Sequence, residues 1–270
     1  MILTLDADNA EYRFSVFDPE NASPVFKTSL SSRSGKTPDE YVFLLRSMMG
    51  DLASSVSAAV VSSVIPKENA DIRRIIYGLC GVSPKFVGKG LKTGMNLKIE
   101  HHEQLGSDIV CSAVGALAYM RKKGFSSPVI TVDVKYATTI SAVNAQGELV
   151  GVAILPGISL SVNALSGFSG SLPDIAPESP GSVLGKNTYD SMNCGVVLSH
   201  AFAIDGFIKR INAEMFPDKS AFCVVTGSAS GLVVPLLESK TTVIRDLPSR
   251  GLFEIYRMNS ASFNAAAAEK

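Results

Sequence analysis

One phrase occurs twice in this sequence. Ile2-Leu3-Thr4-Leu5-Asp6 opens the chain, and Val129-Ile130-Thr131-Val132-Asp133 recurs near its middle. Each is an apolar run closed by an aspartate. A few polar residues come next, then a second strand-like run: Glu11 to Phe17 in the first copy, Ala137 to Val143 in the second. A repeated strand–Asp–turn–strand unit predicts a duplicated domain, with two carboxylates facing each other across a cleft. Each copy must then build its own core on an equivalent strand, which removes most architectures open to a chain of 270 residues.

The order of elements after each phrase repeats too. In the first half a third strand is predicted over 24–30, after a turn at Asp18-Pro19-Glu20-Asn21. Thr37-Pro38-Asp39-Glu40 reads as a helix start, with Thr as N-cap, Pro at the first helical position and Glu two further on. That helix runs to about Leu52 with Tyr41, Leu44, Leu45, Met48 and Met49 on one face. A buried strand at 58–62, a helix near 67–79, a short strand at 85–87 and a helix over 103–122 complete the half. The second half gives strands at 129–133, 137–144 and 148–154, the last two joined by a hairpin turn at Gln146-Gly147. Helices are predicted from Pro156-Gly157 to about Gly167 and over 190–213, separated by a Ser/Gly/Pro-rich loop or flap over 167–180. A strand at 222–225, the turn Thr226-Gly227-Ser228, a helix to about Leu237, a short strand at 241–244 and a helix at 251–259 precede a tail containing Ala265 to Ala268. Three strands and then alternating helices and strands, twice over, is the plan of a duplicated ribonuclease H-like fold. This is the α/β architecture of actin-like ATPases and sugar kinases, with mixed sheets flanked by helices. The predicted domains are 1–122 and 123–270.

Composition narrows the function classes. Lys plus Arg number 25 and Asp plus Glu 25, so no basic face is announced for nucleic acid and no helix-turn-helix pattern accompanies one. No apolar run reaches the ~18 residues of a membrane span. The first residues enter a strand without a basic segment or cleavage site, so no secretion signal is expected. Cys80, Cys111, Cys194 and Cys223 form no CxxC pair and sit in apolar segments, as buried thiols of a reducing cytoplasm do. His101 and His102 are adjacent, a poor geometry for sharing a metal, and read as a surface turn.

Three aspartates carry candidate chemistry. Asp6 and Asp133 end buried strands, where a carboxylate can hold Mg²⁺ through water or a monovalent cation beside ATP. Either alone could be an ordinary turn residue, but their equivalent repeat positions favour function. Asp108, after Gly106-Ser107, falls in the first turn of a helix, where it could take a proton from a substrate hydroxyl or merely compensate the helix dipole. Gly181 to Thr188 superficially suggests a P-loop, but it is one spacer short and has Asn187 where Ser or Thr is needed.

In order along the chain, Asp6-Ala7-Asp8-Asn9-Ala10, Ser62-Ser63-Val64-Ile65-Pro66, Thr93-Gly94, Gly106-Ser107-Asp108-Ile109, Asp133-Val134-Lys135-Tyr136-Ala137-Thr138-Thr139, Leu155-Pro156-Gly157, Ser171-Leu172-Pro173, Gly185-Lys186-Asn187-Thr188 and Gly251-Leu252 resemble the motifs of the type III pantothenate kinases, also labelled Baf-family transcriptional activators. The resemblance implies ATP-dependent phosphorylation of pantothenate, the first step to coenzyme A. It also implies a homodimer whose vitamin site draws on both subunits. By position, Asp108 would be the catalytic base. Asp6, Asp8, Asn9, Ala10 and Tyr136 would lie at the ATP phosphates, with Asp6 holding Mg²⁺ through water. Asp133 would hold a monovalent cation, K⁺ or NH4⁺, and Gly106, Ser107, Asp108, Ile109 and Thr188 would contact pantothenate.

The departures share a direction. Asp8 and Lys135 replace the family's two turn glycines, and Ala10 and Tyr136 replace threonines. Ile109 stands for an arginine, Ile99 for a tyrosine, and Val152 and Ser228 for glycines. Glycine lets backbone N–H groups approach phosphate, which a side chain prevents. The pattern reads as a decayed or repurposed kinase, with Lys135 expected to reach Asp133, Asp6 or Asp8 and stand where the cation would be. Three readings stay open: a homologue of weak or no activity, including the silent subunit of a heterodimer with an intact paralogue; an active enzyme with altered phosphate binding; and a ligand-sensing regulatory protein.

Overall fold

The computed structural model describes residues 1–88 and 90–263. The tail segment 265–268 lies outside the described residues. The elements run β1 (Ile2–Ala7), β2 (Glu11–Asp18), β3 (Ser23–Ser31), α1 (Pro38–Met49), β4 (Ala58–Ser63), α2 (Asn69–Cys80), β5 (Lys85–Phe86), β6 (Asn96–Leu97), α3 (Ser107–Lys122), β7 (Val129–Val134), β8 (Ala137–Val143), β9 (Glu148–Pro156) and α4 (Ile158–Phe168). Then come α5 (Thr188–Asn193), α6 (Ser199–Met215), β10 (Phe222–Thr226), α7 (Ser230–Val233), β11 (Thr242–Val243) and α8 (Leu247–Met258). A π-helical turn, Cys194–Leu198, joins α5 to α6.

The chain divides into two compact units. Of the described residues, the first comprises Met1–Met95, Glu103–Tyr119 and those from Leu247 to Phe263; the second comprises Asn96–His102 and Met120–Asp246. Helix α8 therefore belongs with the first unit, and the division is not the simple halving at residue 122 expected from the repeat. The cause is local packing. The Phe253 ring stacks on Phe17 at 4.8 Å, Ser15 and Ser249 share a hydroxyl hydrogen bond of 3.3 Å, and a Cβ on Gly251 would lie only 1.8 Å from the Cys111 carbonyl oxygen of α3.

The duplication is explicit in the sheets. The first is ordered β3-β2-β1-β4-β5, with β1–β2 and β2–β3 antiparallel and β1–β4 and β4–β5 parallel. The second contains the same arrangement as β9-β8-β7-β10-β11, and β6 adds in parallel to the outer edge of β9. This is the ribonuclease H-like fold, once per unit.

Strand alternation explains how each unit packs. In β1, Leu3, Leu5 and Ala7 join a core with Tyr41 and Leu45 of α1 and Ile72, Ile75 and Ile76 of α2. Thr4 and Asp6 then point to the opposite face. In β7, Ile130, Val132 and Val134 join a second core with Ile158, Val197 and Ile204. Thr131 and Asp133 take the opposite face, and the Thr131 hydroxyl bonds to that of Ser141 on β8.

Helix α1 starts as predicted: Thr37 Oγ1 caps the Glu40 N–H at 3.4 Å, and Glu40 Oε2 returns to the Thr37 N–H at 2.7 Å. Its buried stripe is Tyr41, Leu45 and Met49, whereas Met48 is exposed, because a four-residue step on a helix keeps one face. Among the described residues one helix, the continuous Thr188–Met215, is long and apolar enough to cross a membrane by length and composition. More than half of its apolar window (56%) is buried within the protein, as in a core helix.

Candidate functional site

The first turn closes between Ala7 and Tyr12, the last cross-strand pair of β1 and β2. Asp8 comes two residues after Asp6 in extended chain, which brings both carboxylates to one side. Both are buried, at 1% and 7% exposure. Two like charges there require a cation, and the hairpin register supplies one, since Arg13 is the direct partner of Asp6. Its guanidinium lies 2.6 Å from Asp8 Oδ2 and 3.3 Å from Asp6 Oδ2, with Glu11 at 2.9 Å on its other side. Burial works against this charge, yet Asp6, then Asp8 and Glu11, hold the guanidinium above its ordinary range.

The other oxygen of Asp8 faces the turn. Asp8 Oδ1 accepts from the backbone N–H groups of Ala10 and Glu11, both at 2.8 Å. This is an Asx-turn, in which the side chain replaces an external acceptor. Asn9 is exposed at the tip, and its carbonyl accepts from Arg33 Nε at 2.6 Å. Asp6, Asp8, Asn9 and Ala10 thus lie in one turn. Arg13 is the participant that the motifs alone do not reveal; the hairpin register that pairs Asp6 with Arg13 is the signal that points to it.

Also in the first unit, α3 begins at Ser107. Its hydroxyl ties the helix start to the end of β4, 2.9 Å from Ser62 Oγ and accepting the Ser63 N–H at 3.1 Å. Asp108 occupies the first turn and folds over Gly106, where a Cβ would meet Asp108 Oδ1 at 2.5 Å. Glycine at 106 is therefore what lets the carboxylate lie there. Ile109 is buried at 5%, a core residue with no side chain presented to solvent, so it offers no contact in place of an arginine.

In the second unit, Asp133 is the penultimate residue of β7 and Lys135 stands two residues on, again on the same side. The ammonium lies 3.0 Å from Asp133 Oδ2, with both side chains nearly inaccessible. Of the three carboxylates expected within its reach, Asp133 is the one that the described ion pairs assign to Lys135. The neighbouring strands place Thr139 (β8) and Thr226 (β10) directly beside Asp133 in register. The turn backbone is closely held. The Gly157 N–H donates to the Tyr136 carbonyl at 2.9 Å, and a Cβ on Gly157 would lie 2.1 Å from the Lys135 carbonyl oxygen. Gly227 has φ +100° and passes so near Val134 that a Cβ would be 2.3 Å from its carbonyl oxygen. Tyr136 is half-buried. Thr188 opens α5 and is exposed, behind Asn187, which caps the Asp190 N–H at 2.9 Å.

The cations implied by the resemblance do not fit these residues. A hydrated Mg²⁺ at Asp6 would meet the Arg13 guanidinium, and a monovalent ion at Asp133 would meet the Lys135 ammonium. No cluster of three or more His, Cys, Asp or Glu able to hold a metal exists among the described residues. Cys111, Cys194 and Cys223 are buried and Cys80 partly so, and burial pushes the Cys223 thiol up to about 11. His101 and His102 are exposed.

Comparison with known proteins places these residues in context. The family model for type III pantothenate kinase matches residues 2–210. A type III pantothenate kinase from Hyphomonas neptunium is 34% identical over 263 residues, covering 96% of this chain and all of its own. One from Myxococcus xanthus is 34% identical, covering 97% of this chain and all of its own. Among solved structures, a Baf-family protein from Campylobacter jejuni superposes with a TM-score of 0.59 at 14% identity, covering 96% of this chain and 99% of that one. The activator of 2-hydroxyisocaproyl-CoA dehydratase from Clostridium difficile gives 0.54 at 13% identity, covering 98% and 96%. These two likenesses concern the fold.

Proposed function

Because the chain belongs to the type III pantothenate kinase family, we propose that it keeps the family's fold and pantothenate-recognising side while its ATP phosphate turn is filled by its own carboxylate. Phosphoryl transfer by this chain is then weak or absent. The observation that carries this reading is Asp8 Oδ1 accepting the N–H groups of Ala10 and Glu11. Those are the kind of turn donors that would otherwise cradle a phosphate oxygen. An incoming phosphate must either displace Asp8 or sit beside it. One like-charge pair at ~5 Å and an effective dielectric of ~20 costs roughly 3 kcal/mol, more than a hundredfold in affinity. Arg13 offsets part of that repulsion, but it is already shared by Asp6, Asp8 and Glu11.

On the acceptor side, Asp108 would take the proton of a bound pantothenate hydroxyl, with Ser107 fixing the helix start that carries it. Arg13 beside Asp6 and Lys135 beside Asp133 supply the positive charge at these two carboxylates. We further propose a cytoplasmic homodimer. Val183, Leu184 and Phe202, which line one groove of the second unit, are 71%, 80% and 60% exposed, an apolar face of the kind subunit contacts cover. A heterodimer with an intact paralogue is the second reading that the same face allows.

Calorimetry with ATP and with pantothenate, combined with assay of phosphopantothenate formation, tests the proposal. The wild type should bind pantothenate and show no ATP binding at millimolar concentration. Asp8→Gly with Ala10→Thr should raise ATP affinity by about a hundredfold. Wild-type turnover at an ordinary kinase rate, abolished by Asp108→Asn, would overturn it.

A further inference from the structure

The two copies of the strand–Asp–turn unit balance their buried aspartate differently. In the first, the position two residues after the strand-end aspartate is the acid Asp8, and the cation comes from the facing strand as Arg13. In the second, the equivalent position is the base Lys135, and the facing residue is the neutral Thr139. The second arrangement places an ammonium group in oxygen-rich surroundings. Asp133 supplies a carboxylate oxygen at 3.0 Å. Thr139 and Thr226 flank Asp133 on the two adjacent strands, and residues paired across a sheet project from the same face. Thr226 is 0% exposed and its hydroxyl oxygen has no hydrogen-bond partner. A carboxylate with threonines on both flanking strands offers the class of hard oxygen donors that an alkali or ammonium ion selects.

From this arrangement we infer that the Lys135 ammonium is a built-in monovalent cation. It takes the charge-balancing place beside Asp133, so the second unit needs neither K⁺ nor NH4⁺ to be complete. The chemistry matches closely, because a lysine head group is an alkylated ammonium ion with the same charge. Its tether adds an advantage that a free ion lacks. The ion must be drawn from solution, whereas Lys135 is held two residues from its partner and its backbone N–H is fixed to the Ala137 carbonyl at 3.2 Å. Removing the side chain should reopen the place. Asp133 would keep its burial and the two threonines their register, leaving a negative site of suitable donors with no cation of its own.

The role of Lys135 is independent of the function proposed above. That function rests on Asp8 in the first unit and is tested by ATP affinity, whereas the built-in cation is detected without any nucleotide. Thermal unfolding is measured at constant ionic strength while choline is replaced stepwise by K⁺, and separately by NH4⁺. The wild-type midpoint should not move. Lys135→Gly should unfold at a lower temperature in choline and recover by about 5 °C in saturating K⁺ or NH4⁺. Lys135→Gln, which leaves a polar stem of similar length, should show a smaller recovery. If Lys135→Gly does not fold in choline, recovery of its folded circular-dichroism spectrum on adding K⁺ is the same test. A saturable K⁺-dependent rise in the wild type would overturn the inference. So would a Lys135→Gly protein, folded or not, whose response to K⁺ equals its response to choline.

Discussion

At the scale of single residues, the site is governed by where each buried charge finds its counter-charge. Arg13 is the hinge of the first turn, because it is shared by two carboxylates that would otherwise face each other in a buried place. Arg13→Ala should destabilise the protein by about 3–5 kcal/mol, the usual cost of stranding a buried partner. Asp8→Asn in the Arg13→Ala background should return part of that loss, because the pair then holds one charge instead of two. Urea unfolding of the four members of this double-mutant cycle checks it, and strictly additive effects would refute the shared role. Asp8 and Lys135 are both legible in the sequence, since a motif with its glycines replaced declares itself. So is the reach of Lys135 to a nearby carboxylate, because an i, i+2 pair in extended chain shares a face. Arg13 is not, because its proximity to Asp6 comes from strand register and nothing in linear spacing marks it.

At the scale of elements, the strands are the most legible and the helix ends the least. β1, β2, β7 and β8 alternate or run apolar between polar turns, and their predicted limits agree with the structure to within a residue or so. Helix α3 starts at Ser107 instead of Glu103, because a 3₁₀ turn, His102–Gln104, intervenes. Helix α8 starts at Leu247, four residues before the apolar Gly251-Leu252 that signals it, with Pro248 accommodated in its first turn. The π turn before α6 has no periodicity signature at all. Backbone closeness between helices is equally invisible. Gly115 of α3 would place a Cβ 2.5 Å from the Leu247 carbonyl oxygen, and Gly251 of α8 would place one 1.8 Å from that of Cys111. Here glycine serves as spacer, so Gly251→Ala must push two helices of the first unit apart. A loss of about 3 kcal/mol or more is expected in urea unfolding, whereas Gly206→Ala inside α6, where a Cβ meets open space, should gain ~0.5–1 kcal/mol.

At the scale of the whole molecule, the duplicated plan is plain from the repeated phrase, and both sheets carry one strand order. The assignment of α8 to the first unit is not, because a helix at the end of the second repeat carries no label for the core it joins. The proposed homodimer belongs to this scale. Phe202→Glu, which places a charge on the exposed apolar face, should shift sedimentation from dimer to monomer while leaving the circular-dichroism spectrum unchanged. A wild-type monomer at micromolar concentration would exclude the dimer. The buried counter-charges also bear on the protein's life in the cell. A binding protein whose site must be neutralised by its ligand gains stability by mass action, so its abundance tracks supply. Here Arg13 and Lys135 arrive with the polypeptide as it is synthesised. Resistance to proteolysis should therefore not follow the supply of ATP, K⁺ or NH4⁺, and of the ligands its relatives would draw on, pantothenate alone should lengthen the half-life of this chain.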